Sequence, residues 1–190
     1  PVQLRSMPDQ TGPQQAKATR TRTSILQAAG DVVRLEGVSS LTLERVATVA
    51  GVSKGGLLYH FGTKQELVIA LLANTLGRAD AELQSLAAAN DRSKGAFAQA
   101  YLDYIRSGRH DEIDSASGIF AAAALDDGDL EPARSMFHQW QDRLVEDDGI
   151  DTTTALLARV VGDGLWLIDL FGLAPPTTEQ RNALFELVEA

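Results

Sequence analysis

The sequence contains no cysteine, and its 190 residues include only two methionines and two tryptophans. Without cysteine the chain cannot form disulfides, thiolate zinc sites or a cysteine nucleophile, and this composition suits a reducing compartment. Long hydrophobic runs are also absent, because the most apolar segment, Leu165 to Leu173, is too short to cross a bilayer and contains Asp169. No basic segment followed by an apolar run occurs near the start. We therefore expect a cytoplasmic protein without membrane contact.

The residue patterns of common metal and catalytic sites are absent as well. His110 and His138 have no partner at ligand spacing, and no His-Glu-x-x-His sequence occurs. The acidic stretch from Asp126 to Pro132 lacks the ligand order of a calcium-binding loop. No Ser-His-Asp or paired-carboxylate arrangement rises above chance. The sequence thus predicts no metal, no cofactor and no catalytic residue, and an enzyme is not expected.

Basic residues are outnumbered overall but concentrated near the start of the chain. The formal net charge is -9. Residues 1–78 contain nine Lys or Arg against five Asp or Glu, which leaves +4, whereas residues 79–190 contain eight against 21, which leaves -13. Because an acidic surface repels the phosphate backbone, any contact with nucleic acid has to come from the N-terminal section.

Hydrophobic residues recur at helical spacing through most of the chain, and no convincing pair of strands is present. Gly51 can end a short helix that Thr42 caps, and Thr63 with Glu66 forms a capping box that opens a long one. Another apolar helix is expected from Thr152 to Leu173. We predict an all-α fold, in which the first helix presents one apolar face: Ile25, Leu26, Ala29, Val32 and Val33.

These helices group into three sections. Residues 1–18 are polar and contain Pro and Gly, which favours a disordered segment. Whether Pro1 to Ser6, which precede Met7, belong to the natural protein is left open by the sequence. Residues 19–65 form a three-helix unit, and residues 66–190 form a helical body that ends in a helix from Thr177 to Ala190.

The stretch SKGGLLYHFGTK, Ser53 to Lys64, is typical of the second half of a helix-turn-helix, which we place at about 42–61. Gly51 suits the tight turn, and Ser53 can cap the second helix. Lys54 adds a cation at the edge of the major groove. Glycines at positions 55 and 56 remove side chains where backbone has to approach DNA closely.

The same helix has an inward and an outward side. Leu57 and Phe61, four residues apart, are expected to anchor it to the core. Tyr59 and His60 then lie outward, where a hydroxyl and an imidazole can reach phosphate oxygens, and Lys64 adds a cation at the next helix start. The stretch therefore faces both a core and DNA.

The segment from Thr21 to Leu72 resembles the DNA-binding domain of TetR-type repressors. It carries the pattern G-x4-T-x4-A-x3-GVS from Gly37 to Ser53 and the closing sequence YHFGTKQEL, without a gap. The resemblance implies an all-helical homodimer whose N-terminal units each read half of a palindromic operator. It also implies a C-terminal body that binds a small effector and dimerises.

By position, the resemblance assigns contacts to eight residues. Those with phosphates fall on Thr42, Tyr59, His60 and Lys64. Those in the groove fall on Ser53, Lys54, Gly55 and Gly56. Gly56 stands where the family commonly has Thr or Ser, and Leu58 where it commonly has Tyr. Because glycine cannot read a base by its side chain, we expect Lys54 to carry more of the direct readout and DNA shape to carry the rest.

The body offers candidate effector contacts. Asp163 lies in a segment that is apolar on nearly all sides, so its carboxylate is expected to have a binding partner. It can hold a cationic aromatic ligand together with tryptophans, or it can bond a neighbouring Arg or cap a kink at Gly162 and Gly164. The aromatic residues taken singly favour core filling. The candidate effector contacts are Phe97, Phe120, Phe137, Trp140, Asp163 and Trp166.

The sequence therefore predicts a dimeric repressor that a small effector releases from double-stranded DNA. The last two helices are expected to form the dimer interface, because a helix with two apolar faces needs a second partner. Two alternatives stay open. One is a DNA-binding activator, and the other is an α-helical ligand carrier or enzyme with a structural front domain.

Overall fold

The computed structural model describes residues 12–90, 94–107, 118–120, 122–123, 130–147 and 149–189, and these contain helices and no strand. This confirms the all-α class. A 3-10 turn, Val38–Ser40, follows the first helix, and a π-helical turn, Arg143–Asp147, follows the sixth. Residues 118–120 and 122–123 are also helical. The helices are α1 Pro13–Glu36, α2 Leu43–Ala50, α3 Lys54–His60, α4 Lys64–Ala89, α5 Ala96–Arg106, α6 Glu131–Asp142, α7 Thr152–Phe171 and α8 Thr178–Glu189.

Helices α1 to α3 form an N-terminal unit around a shared apolar core. The face predicted for α1 is buried, and α2 and α3 each add a fully enclosed side chain. Burial of a large aliphatic side chain contributes about 1.5–3 kcal/mol, so a few such residues suffice to hold short helices together. The buried residues are Ile25, Leu26, Ala29, Val32, Val33, Leu41, Val46 and Leu57.

Helix α1 begins earlier than the sequence predicted. It starts at Pro13, so the disorder expected for residues 13–18 is wrong. Proline at the first helical turn is pre-set for helical φ, and adding residues to a helix that is already packed costs little. Along this extension the hydroxyl of Thr19 donates to the Gln15 carbonyl at 3.0 Å. Residues 1–11, which include Pro1 to Ser6, lie outside the described residues.

Helix α4 joins the N-terminal unit to the body. It packs against α1 of the unit and against α5 and α6 of the body. Thr63 caps it by accepting from the Glu66 N–H at 3.0 Å, while the Glu66 carboxylate accepts from the Gly62 N–H at 2.8 Å. The predicted capping pair is thus present, with the return bond displaced by one residue. Helix α4 is therefore a continuous connection between the N-terminal unit and the body.

The end of α7 and the start of α8 are defined by local caps, and an ion pair joins the two helices. Helix α7 ends at Phe171, two residues before its predicted end, because Gly172 adopts left-handed backbone with φ 62°. Thr177 accepts from the Gln180 N–H, and the Gln180 side chain accepts from the Thr177 N–H, which confirms the predicted cap. Arg181 then forms two hydrogen bonds to Asp169, at 2.9 and 2.6 Å. This mostly buried ion pair ties α8 to α7.

Candidate DNA-binding surface and effector cavity

A side-chain hydroxyl caps the start of each helix of the helix-turn-helix, and a glycine ends the first one. The Thr42 hydroxyl accepts from the Arg45 N–H at 3.1 Å, and the Ser53 hydroxyl accepts from the Gly56 N–H at 3.0 Å. Gly51 has φ 66°, a left-handed conformation that disfavours any residue with a side chain. Sequence reasoning placed all of these features correctly, since each depends on local backbone chemistry.

Helix α3 has the two sides that its sequence predicts. Leu57 is fully buried and Phe61 is buried, so both anchor the helix to the core. Tyr59 is 81% exposed on the opposite side, and His60 is half-buried with its ring 5.1 Å from that of Tyr59. Leu58 is also partly exposed. A polar and aromatic surface is therefore available to a partner.

The two glycines of α3 differ in their surroundings. A Cβ on Gly55 would have open space around it, whereas one on Gly56 would lie 3.2 Å from the Ser53 hydroxyl oxygen. Gly55 thus gives a smooth surface at the start of the helix, where an approaching molecule can reach the backbone. Gly56 keeps the cap of that helix uncrowded.

Ion pairs hold the basic residues of this surface, and sequence reasoning missed them. The ammonium of Lys54 on α3 bonds the carboxylate of Glu44 on α2, and both side chains are more than half exposed. This bond lowers the pKa of Glu44 below its usual value. Arg45 bonds both carboxylate oxygens of Glu36 through Nε, at 3.1 and 2.9 Å. Lys64 is exposed at the first residue of α4.

Arg22 was also missed. Its guanidinium lies over the ring of Phe61 at 5.0 Å, next to His60 at the end of α3. A cation over an aromatic face is stabilised by the ring quadrupole. The spacing of 39 residues gives no local signal, which is why the sequence did not indicate this contact.

A cavity of about 940 Å³ lies between the N-terminal unit and the body. Its walls come mainly from α1, α4, α5 and α7, together with residues 119 and 120 and one residue of α6. The lining contains five aromatic and five charged side chains. The aromatic side chains are Tyr101, Tyr104, Phe120, Trp140 and Trp166, and the charged ones are Asp31, Arg34, Arg78, Glu82 and Asp169.

Three of the six predicted effector contacts line this cavity, namely Phe120, Trp140 and Trp166. The other three do not. Phe97 is buried under the guanidinium of Arg143, which lies 3.9 Å from the ring centre. Phe137 packs behind the wall, with its ring 5.2 Å from that of Trp140 and 6.1 Å from that of Trp166.

Asp163 is not part of the cavity lining, and its carboxylate has two hydrogen-bond partners. Tyr101 donates its hydroxyl to one oxygen, and Arg159 donates Nε to the other at 3.1 Å. Bonding to a neighbouring Arg was one of the three interpretations left open by the sequence. Burial, followed by the negative charge of Asp163, raises the pKa of Tyr101 well above its usual value. Because Tyr101 also lines the cavity, Asp163 reaches the cavity wall through that ring.

The wall near Tyr101 depends on a glycine. A Cβ on Gly162 would lie 2.5 Å from Cε1 of Tyr101, so no larger residue fits without displacement of the ring. Across the cavity, Trp140 donates its indole N–H to Asp80 of α4 at 2.9 Å. The aromatic wall is therefore held by contacts with both α4 and α7.

An apolar surface runs along α7 and α8. Val160 and Leu187 are each 66% exposed, and Phe171 is 52% exposed. A Cβ on Gly164, in the middle of α7, would meet nothing within 4 Å. We call this surface the α7–α8 stripe, and its members are Leu156, Val160, Gly164, Leu167, Phe171, Leu184 and Leu187.

Neither a metal site nor a membrane span is found in the parts of the chain that the structure describes. No group of three or more His, Cys, Asp or Glu side chains there is placed to hold an ion. His110 and the acidic residues 126–129 lie outside the described residues. None of the described helices is long and apolar enough to cross a bilayer.

Two family models match the chain. The model for bacterial regulatory proteins of the tetR family matches residues 25–71. The model for the tetracyclin repressor-like C-terminal domain matches residues 95–190, just over half of the chain. The chain belongs to the TetR family. This confirms the resemblance seen in the helix-turn-helix residues.

TetR-family regulators are also found among curated relatives, although the matched segments are short. The HTH-type transcriptional regulator SrpR of Pseudomonas putida is 42% identical over 59 residues, which cover 31% of this chain and 28% of SrpR. RutR of Escherichia coli (strain K12) is 39% identical over 66 residues, which cover 35% of this chain and 31% of RutR. The chain thus matches less than a third of the length of either protein.

Solved structures match over most of the chain. The multidrug binding protein EbrR in complex with ethidium is 26% identical, with a TM-score of 0.59, and the match covers 88% of this chain and 98% of EbrR. The transcriptional regulator SCO7518 of Streptomyces coelicolor A3(2) is 21% identical, with a TM-score of 0.67 and coverage of 89% and 96%. At that identity the likeness to SCO7518 shows the fold alone.

Proposed function

We propose that this TetR-family protein is a repressor that binds an inverted-repeat operator as a homodimer and is released by a small aromatic effector. The observation that carries the proposal is the helix-turn-helix. Thr42 and Ser53 cap the starts of its two helices, and the second helix buries Leu57 and Phe61 while leaving Tyr59 exposed. A helix held in this way can enter the major groove with its N-terminal residues toward the bases.

In this proposal the exposed residues divide into two kinds of DNA contact. Thr42, Tyr59, His60 and Lys64 reach phosphates, which fixes the register but carries no sequence information. Ser53, Lys54, Gly55 and Gly56 face the groove, where Lys54 is the side chain suited to the acceptors of guanine.

Two substitutions test this division on the same operator. Lys54→Ala should relax sequence preference, since a base contact is lost. Lys64→Ala should weaken binding to all sequences alike and reduce the salt slope by about 0.9, since a phosphate contact is lost. Fluorescence anisotropy at several salt concentrations measures both. Equal effects of the two variants on every sequence would contradict the assignment.

Dimerisation is proposed to use the α7–α8 stripe. Its exposed apolar residues lie on two helices that the Arg181–Asp169 pair joins to each other. A two-fold axis brings identical stripes together as a four-helix contact. Binding to half-sites one helical turn apart requires the two α3 helices of such a dimer to lie about 34–36 Å apart.

The effector is proposed to bind in the cavity and to be aromatic, with a preference for cations. The cavity combines the rings of Phe120, Trp140 and Trp166 with three acidic side chains, which outnumber the two arginines of the lining. A positive charge over an aromatic face gains about 0.5–2 kcal/mol. EbrR, a TetR-fold protein of similar sequence, was solved with ethidium and with proflavin, both of which are aromatic cations.

Tryptophan fluorescence tests the effector site directly, because both tryptophans of the chain line the cavity. Ethidium and proflavin should quench this fluorescence more strongly than a neutral aromatic of similar size. Asp163→Asn is the informative variant. We propose that Asp163 acts through Tyr101, so its loss should weaken all probes alike. A selective loss of the cationic probes would instead place Asp163 in contact with the charge.

We propose that effector binding releases the protein from DNA because of where the cavity lies. Residues of α1 and of α4 form its walls, and both helices belong to the support of the helix-turn-helix. An effector that fits only one separation of α1 and α4 shifts the population toward it. A coupling of about 2–3 kcal/mol, roughly 30- to 150-fold in affinity, is enough to empty an operator that competes with non-specific DNA.

A further inference from the structure

The Glu44–Lys54 pair places a carboxylate on the surface that is proposed to face DNA. Glu44 lies on α2, two residues after the cap Thr42, and its carboxylate bonds the ammonium of Lys54 across the turn. Both side chains are more than half exposed, so the core does not require the pair. A negative charge at this position is repelled by phosphates, and it therefore needs an explanation of its own.

We propose that Glu44 is a positioning residue that sets DNA specificity by holding Lys54 away from phosphates. On non-specific DNA the ammonium stays with Glu44, and it releases no counterion from the backbone. At the operator, hydrogen bonds from Lys54 to a base edge replace the bond to Glu44. The pair thereby removes a cation from sequence-independent binding and keeps it for direct readout.

Two physical arguments support this assignment. An exposed ion pair gains little, with a median of about 0–1 kcal/mol, so a good base contact can replace it. A lysine without an acidic neighbour, by contrast, binds any phosphate within reach, because the backbone dominates non-specific affinity. Specificity is a difference between two affinities, and weakening the unwanted one raises it as effectively as strengthening the wanted one.

The chain offers a matched control. Glu36 also belongs to the N-terminal unit and also bonds a basic residue, Arg45, so Glu36→Gln removes the same charge from the same unit. Arg45 lies on α2 rather than on the recognition helix. A general change in electrostatic attraction affects both variants, whereas release of Lys54 occurs only in Glu44→Gln.

The experiment compares operator and non-specific DNA for the wild type, Glu44→Gln, Glu36→Gln, Lys54→Ala and the double variant Glu44→Gln/Lys54→Ala. Glu44→Gln should raise affinity for non-specific DNA by up to about 5-fold near 0.1 M salt, which is the worth of an exposed ion pair. It should also steepen the salt slope of non-specific binding by about 0.9. The ratio of operator to non-specific affinity should fall accordingly. When Lys54 is already replaced by Ala, Glu44→Gln should raise non-specific affinity no more than Glu36→Gln does, because no lysine is left to be released.

The inference depends on the proposed function, and the two can fail separately. Failure of the wild type to prefer any operator would overturn the proposed function. A wild type with normal preference, combined with equal effects of Glu44→Gln and Glu36→Gln, would overturn the role of Glu44 alone. An undiminished effect of Glu44→Gln in the Lys54→Ala background would do the same, since the residue would then act without its partner. Circular dichroism of each variant confirms that the helices are intact.

Discussion

At the scale of single residues, the contact between Gly162 and Tyr101 makes a sharp prediction about stability. An added Cβ would lie 2.5 Å from the Tyr101 ring, which is buried and bonded to Asp163. Overpacking of this kind costs about 1–3 kcal/mol. We expect Gly162→Ala to lower the free energy of unfolding by that amount in urea denaturation.

Gly77 supplies the control for this measurement. It lies inside α4, and a Cβ there would meet nothing within 4 Å. Because alanine is a better helix former, Gly77→Ala should raise the free energy of unfolding by about 0.5–1 kcal/mol. Destabilisation of both variants to the same degree would show that the close approach at Gly162 is not the cause.

The hydroxyl of Tyr101 makes a prediction about alkaline pH. Burial and Asp163 raise its pKa in the folded state above that of the unfolded chain. Its contribution to stability is therefore complete below about pH 10, where an unfolded tyrosine begins to ionise, and is lost as the pH rises toward the folded-state pKa. Wild-type stability should fall more steeply than that of Tyr101→Phe above this pH, by up to about 1.4 kcal/mol per pH unit. Parallel curves from pH 8 to 11 would contradict it.

The sequence predicted residues whose role is local and missed those whose role depends on distant partners. Thr42, Gly51 and Leu57 follow from capping, turn geometry and helical spacing, so their positions were predictable. The bond from Glu44 to Lys54 spans a turn and depends on two flexible side chains. Asp163 was recognised as unusual, and Arg159, one helical turn before it on α7, is the kind of neighbouring Arg that the sequence offered. Tyr101 could be assigned as its partner only once α5 and α7 were packed together.

At the scale of helices, the capping of α4 is the feature that the proposed coupling needs. The Thr63 hydroxyl accepts from the Glu66 N–H, and loss of such a cap costs about 0.5–2 kcal/mol. We expect Thr63→Ala to lower the free energy of unfolding within this range. Thr48→Ala is the control, because that exposed hydroxyl bonds a carbonyl of its own helix and its loss should change stability by less than about 0.5 kcal/mol.

Helix starts and stops were predictable where a capping residue marks them. The starts of α2, α3, α4 and α8 follow Thr42, Ser53, Thr63 and Thr177 as expected. The start of α1 has no such side chain, since Gly12 precedes it without a capping bond. Polar composition there indicated disorder, although Pro13 and the packed turns that follow favour helix.

At the scale of the whole molecule, the α7–α8 stripe predicts a dimer of twice the 20.4 kDa chain mass. Val160 is 66% exposed on the stripe, and Leu35 is 68% exposed on α1, outside it. Val160→Glu should bury a charge in the proposed interface and yield monomers in sedimentation at micromolar concentration. Leu35→Glu should leave the dimer intact. Dissociation by Leu35→Glu but not by Val160→Glu would place the interface elsewhere.

The cavity shows why the site could be predicted only in part. Its walls join α1, near the start of the chain, to residues of α7, and no periodic pattern reports how far apart packed helices stand. Aromatic composition was enough to select Phe120, Trp140 and Trp166. Exclusion of Phe97 and Phe137 required the positions of Arg143 and of the tryptophans. No pattern in the sequence indicated that Asp31 and Arg34 of α1 also line the cavity.

Selection of DNA from a random-sequence library tests the central claim most directly. The purified protein should be used near physiological salt, where non-specific binding is weak. The account predicts enrichment of sequences that share an inverted repeat with half-sites one helical turn apart, and loss of that enrichment for Val160→Glu. Absence of any enriched sequence would contradict the account, as would enrichment of a single half-site by a strictly monomeric protein.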